Sequence, residues 1–180
     1  VGDILIRITA VNRGKEAAPI VVVPTLWFRN TWSWGYPSGP MRDVPNAPII
    51  NCDKQCGLIK AYHSALGSYH LHGENPEDII FTENATNSER LFGKPGLSPY
   101  VKDAFHRYIV NGETAAVNPQ QTGTKAAFVY RRTLVPGEES VFRFRLAEEA
   151  MEGWLDNFDS IFSRRKDEAD EFYGNLQSSI

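Results

Sequence analysis

Cysteine is scarce in this chain: Cys52 and Cys56 are the only two in 180 residues. One pair cannot staple a disulfide scaffold, so the fold has to rest on an apolar core. A zinc site would need two further ligands, and His63, His70 and His72 do not repeat a finger spacing. The segment from Asn51 to Cys56 therefore reads as two free thiols or a local loop disulfide, and thiols point to the cytoplasm. Long apolar runs are missing too. Ile20–Val23 stops at Pro24, far short of the ~20 residues that cross a bilayer as a helix, so no membrane partner is expected. Charge of one sign is also lacking. The 19 basic and 22 acidic residues give a net charge of -3 with no long block of either, which excludes the clustered basic surface a nucleic-acid partner requires. Gly93-Lys94-Pro95-Gly96 lacks the spacing of a phosphate loop, and no Gly-x-Ser-x-Gly elbow occurs. Nothing in the sequence asks for a cofactor or a metal.

What the chain does contain is short β-patterned runs. Asp3–Asn12 is rich in β-branched residues, with Ile4, Ile6, Ile8 and Ala10 on one face. Asn12-Arg-Gly-Lys15 has turn chemistry, and Ala18–Phe28 is a second extended run, so a hairpin is expected. Pro24 implies that this second run is an edge strand or carries a bulge. Residues 29–48 hold Gly35, Gly39 and four prolines, a density that predicts a long loop. Further strands are expected at Gly57–His63, Ser68–Gly73, Asp78–Glu83, Lys125–Leu134 and Ser140–Leu146. The last two are joined by Val135-Pro-Gly-Glu138, which suits a type II turn. Phe142, Phe144 and Leu146 alternate with Arg143 and Arg145, giving one buried and one solvated face. Asn84–Gly96 is polar and turn-rich. Two helices are expected. One is capped by Ser98-Pro99, carries the stripe Val101, Ala104, Phe105, Tyr108 and Ile109, and stops at Asn111-Gly112. The other runs from about Asp156 to Asn175, and its Arg164–Glu168 stretch is a solvated face. The whole predicts an antiparallel β-sandwich over 1–150, with a short internal helix and a connecting helix over 151–180. The opening at Val1 runs straight into a strand, as an excerpt of a longer chain would.

Trp27, Trp32 and Trp34, with Arg29 and Asn30 between them, sit where a strand gives way to the loop. Such a cluster stacks on sugar faces or on a partner protein, or else plugs the end of the sandwich. Glu83 belongs to a set of carboxylates from which the spacing selects no glycosidase pair. Glu83 and Asn84 also suit a turn held by side-chain to backbone hydrogen bonds. His70 and His72 share one strand face, and no third ligand is identifiable.

A resemblance enters with the longer blocks. Asp3-Ile-Leu-Ile-Arg-Ile8, Pro24-Thr-Leu-Trp-Phe-Arg-Asn-Thr-Trp-Ser-Trp34 and Phe81-Thr-Glu-Asn-Ala-Thr-Asn87 are followed by Arg90-Leu-Phe-Gly93 and Tyr100-Val-Lys-Asp-Ala-Phe-His106. Ala116-Val-Asn-Pro119, Gly123-Thr-Lys-Ala-Ala127 and Glu168-Ala-Asp-Glu-Phe-Tyr173 complete the series. In this order they resemble large bacterial glucosidase-like proteins of the mannosyl-oligosaccharide glucosidase family, glycoside hydrolase family sixty-three. The resemblance implies an incomplete, supersandwich-like β-domain that precedes an (α/α) barrel carrying the catalytic carboxylates. No catalytic residue would then lie in this chain. It would support the barrel and form part of a sugar site, with Arg29-Asn30 and Glu83-Asn84 on the surface that meets the barrel. The expected partners are that barrel, an oligosaccharide, and a second copy through uncovered sandwich edges. A stand-alone carbohydrate-binding module and a protein-interaction sandwich remain as alternatives.

Overall fold

The computed structural model describes residues 2–32, 48–53, 57–96 and 98–177. The chain divides into two compact units, Val1–Glu149 and Ala150–Ile180.

The first unit is a mainly β, antiparallel sandwich. Its strands are β1 (Asp3–Val11), β2 (Ala18–Val22), β3 (Thr25–Trp27), β4 (Ile49–Asp53), β5 (Leu58–His63), β6 (Gly67–Gly73), β7 (Asp78–Thr82), β8 (Thr122–Gly123), β9 (Lys125–Leu134) and β10 (Glu139–Ala147). One sheet has the order β1-β10-β6-β5-β4-β8; in the other, β2, β3 and β7 all pair with β9. The inner faces meet in a core of Ile50, Ile59, Ala61, Leu71, Phe142 and Phe144 from the first sheet and Phe81, Ala126, Phe128 and Tyr130 from the second. Tyr130 sets its ring edge-on to Phe142 and Phe144, and Phe128 stacks on Phe144. Aromatic pairs of these geometries add about 0.5–1.5 kcal/mol each beyond their burial.

β9 is buried on both faces. Ala127 and Val129 point away from the inter-sheet core and join Ile80 in a second cluster with Phe105 of helix α2 (Ala104–Asn111). Tyr108 and Ile109 pack against the same cluster, so the predicted apolar stripe is what seats this helix. The helix begins later than Ser98. The Ser98 hydroxyl instead accepts from the Tyr100 amide in a local turn, and the stop at Gly112 is a left-handed cap with φ 70°. The polar stretch after Asn84 contains a five-residue helix, α1 (Ser88–Phe92), in which the Asn87 side chain caps the Arg90 amide.

The expected hairpin of the first two runs does not form. β1 pairs with β10 and β2 with β9, so both corner connections, 12–17 and 135–138, cross from one sheet to the other. Asn12 holds these corners together. Its Nδ2 donates to Glu16 O at 2.8 Å and Leu134 O at 2.7 Å, its Oδ1 accepts from the Gly14 amide, and its backbone bonds Glu138 O and the Gly137 amide. Gly137 has φ 81° and Glu138 N donates to Val135 O, which closes the type II turn. Pro24 lies on an edge without a bulge. Val22 pairs with Tyr130 and Thr25 with Ala127, an equal step on both strands, and Pro24 O still accepts from the Phe128 amide.

The alternation in β10 holds on one face only. Phe142 and Phe144 are buried as expected, but Arg145 is buried as well, paired with Asp3 on β1. The neighbouring strand explains this: β1 brings a carboxylate to a position where an isolated strand would leave the guanidinium in water. Cys52 lies on β4, a strand that the sequence did not mark, and its thiol donates to Gln121 Oε1 at 3.4 Å. Cys56, Trp34 and most of the Gly/Pro-rich segment fall outside the described residues.

The second unit is built on α3 (Phe158–Gln177). Phe158 sits between Trp154, edge-on, and Phe162, stacked. No helix among the described residues is long and apolar enough to cross a membrane.

Candidate functional site

The ends of β3 and β7 and the start of β9 converge because Trp27, Thr82 and Lys125 occupy one cross-strand row. Just beyond that row the chain bends away on three sides, and the backbone groups freed there need partners. Thr124 supplies them. Its hydroxyl donates to Glu83 Oε2 at 2.8 Å and accepts from the Asn84 amide at 2.7 Å. Its own amide donates to Thr82 O, and its carbonyl accepts from the Phe28 amide. Asn84 Nδ2 donates to Phe28 O at 2.8 Å, and Asn30 Nδ2 donates to Asn84 O at 3.0 Å.

Residues 54 positions apart are thereby joined: Asn30, Glu83 and Asn84 form one hydrogen-bonded corner. The Asn84 side chain does bond backbone, but at Phe28 on a distant segment and not within its own turn, while the Glu83 carboxylate bonds the Thr124 side chain. Thr124, which is 5% exposed, was not singled out by the sequence reading. The signal was a β-branched hydroxyl residue just ahead of the apolar run that forms β9. Gly123 belongs to the same corner, since a Cβ there would overlap the Thr82 carbonyl.

Trp27 and Arg29 are exposed and Trp32 half-buried. Trp27 keeps 54% of its surface open and lies opposite Lys125, whose ammonium donates to Lys102 O at 3.0 Å and rests 4.3 Å from the Phe105 ring centroid. Burial, helped by the charge of Lys102, holds Lys125 below the ordinary lysine pKa. In chemical terms this corner is occupied. The Glu83 carboxylate of this corner is already engaged by a buried hydroxyl.

The histidines take separate roles. His63 turns inward, its ring tilted against that of Phe28 with centroids 5.3 Å apart, and it accepts from the Ala65 amide. His70 and His72 face outward on β6, and His72 is buried beside Arg145, its register partner. Among the described residues no three His, Cys, Asp or Glu side chains converge as a metal site would require.

Fold and corner together define an antiparallel β-sandwich with helix α2 packed on one sheet and a junction of β3, β7 and β9 knit by its own side chains. Beyond that class, the chain is similar to the Uncharacterized protein YMR196W of Saccharomyces cerevisiae, 31% identical over 94% of this chain and 18% of that protein. The chain thus spans less than a fifth of the length of this curated relative. No protein-family model matches it, and no solved structure does.

Proposed function

We propose that this chain is a non-catalytic β-sandwich domain of a glycoside-hydrolase-like protein, supporting an (α/α) catalytic barrel and lending a wall to its sugar site. The observation that carries the reading is the state of the corner. Glu83, Asn84 and Asn30 are engaged with Thr124 and with backbone groups, which suits a rigid supporting junction. The likeness of the sequence blocks to the glucosidase family supplies the substrate class. Similarity to a small part of a much longer protein is compatible with a domain role. Two measurements test the proposal. The isolated chain should not hydrolyse nitrophenyl α-glucosides, and it should bind a separately expressed (α/α) barrel of the resembled family. Enzyme-like turnover by the chain, or failure to bind the barrel in calorimetry, overturns it.

The exposure of Trp27 favours one further reading, a carbohydrate-binding module that stacks a sugar on that ring. Binding of gluco-oligosaccharides that disappears in Trp27→Ala would select it. Self-association has its own feature. Ile4 and Ile6 are 58% and 40% exposed on β1, whose outer edge has no strand partner among the described residues. A mass that rises with concentration in light scattering would support pairing there, and a strict monomer would exclude it.

A further inference from the structure

The outward face of β4, β5 and β6 carries a feature that the supporting role does not use. Ile49, Tyr62 and Ser68 form one cross-strand row, and Asn51, Lys60 and His70 form the next. Together they line a shallow groove of about 170 Å³. Its apolar part is Tyr62, 52% exposed, beside Ile49, 45% exposed. A half-exposed tyrosine ring on a sheet face offers a stacking surface, and its hydroxyl makes no hydrogen bond among the described residues.

The polar row is available in a way the Thr124 corner is not. Asn51, Tyr62 and Ser68 have no side-chain hydrogen bond among the described residues. His70 hydrogen-bonds the Glu148 carbonyl through Nδ1 at 3.0 Å, so that nitrogen is the donor, and in the neutral ring Nε2 remains an acceptor. Lys60 is neutralised by Asp53 at 3.3 Å but retains two further N–H donors. A groove with one apolar wall, a row of donors and acceptors and little net charge does not select an anion. It matches a ring that is apolar on its C–H face and hydroxylated around its rim.

We propose that this groove binds one neutral pyranose unit of an oligosaccharide, stacked on Tyr62 and hydrogen-bonded by Asn51, Lys60, Ser68 and His70. The site is distinct from Trp27, which lies on the other sheet, and it goes beyond the supporting role.

Nitrogen-15 correlation spectra of the chain titrated with maltotetraose, cellotetraose, a mannotetraose and inorganic phosphate test it. At least one tetrasaccharide should perturb the amides of β4–β6, with affinity about tenfold weaker in Tyr62→Ala, near wild type in Tyr62→Phe, and unchanged in Trp27→Ala. Thermal melting checks that each variant folds. Response to phosphate alone, no response to any tetrasaccharide, or binding lost in Trp27→Ala but kept in Tyr62→Ala would each overturn the groove. None of these outcomes bears on binding of the barrel or on turnover, so the supporting-domain proposal stands or falls separately.

Discussion

Thr124→Val isolates the claim on which the reading of the corner depends. Valine has nearly the shape of threonine, so the change leaves no cavity and removes only the hydroxyl. Two interactions go with it: the bond to the Glu83 carboxylate at 2.8 Å and the bond from the Asn84 amide at 2.7 Å. A hydrogen bond to a charged group contributes about 1.5–3 kcal/mol, and a stranded backbone amide costs about 1–3 kcal/mol when water cannot replace its partner. Thr124 is buried, but Glu83 and Asn84 are half-exposed and recover part of their solvation. A net loss of about 2–4 kcal/mol follows. Urea unfolding by far-UV circular dichroism, with a slope of about 2 kcal/mol/M, turns that into a midpoint lowered by about 1–2 M. Trp27→Ala is the control, because truncating an exposed edge residue should cost about 0.5 kcal/mol or less. If Thr124→Val shifts the midpoint no more than Trp27→Ala does, Glu83 and Asn84 are not structural, and a chemical role for them returns.

Asn12→Ala removes three side-chain hydrogen bonds from the two sheet-crossing corners and should cost about 2 kcal/mol by urea unfolding; a change within error would mean the corners hold without it. Gly123→Ala drives a Cβ into the Thr82 carbonyl and should cost about 3 kcal/mol or more, read as a lowered melting temperature or loss of soluble protein. His72 yields a pH dependence. Burial first, then the charges of His70 and Arg145, hold its pKa below the ordinary 6.5. The unfolded chain therefore takes up the proton more readily, so its contribution to stability is complete above about pH 6.5 and is lost as the pH falls through the folded value. The urea midpoint should drop between about pH 7.5 and about pH 5.5, and His72→Leu should flatten that drop.

The strands were legible wherever one face was apolar or the run was strongly β-branched. Lys125–Leu134 appears with its expected bounds, and Asp3–Val11, Gly67–Gly73 and Asp78–Thr82 differ by a residue at an end. Their pairing was not legible. A turn such as Asn12–Lys15 has the same composition whether it folds a hairpin flat or carries the chain over to a second sheet. What decides is whether Ile8 and Val22 should lie side by side or face one another across a core, and that depends on β9 and β10, more than a hundred residues away. Arg145 was misjudged for a related reason. Its burial is set by Asp3 on a neighbouring strand, and no local pattern encodes that. The first helix failed at its start because Ser98-Pro99 is a sound cap in composition, while the chain spends that hydroxyl on a turn.

The candidate site shows the same limit in chemical form. Residue type marks which side chains are able to act, and Glu83, Asn84 and the tryptophans stood out on that basis. Whether a side chain is free to act depends on what the fold has already asked of it. At the Thr124 corner three chain segments leave the sheet together, and the exposed backbone groups draw in the Asn30 and Asn84 amides and the Thr124 hydroxyl, which in turn holds the Glu83 carboxylate. On β4–β6 the ladder has already paired the backbone, and the side chains of Asn51, Tyr62 and Ser68 make no hydrogen bond among the described residues. Regular structure thus releases polar side chains for recognition, and irregular junctions consume them. In this sandwich that places the recognition surface on the outward face of β4–β6, where His70 alone had drawn notice in the sequence.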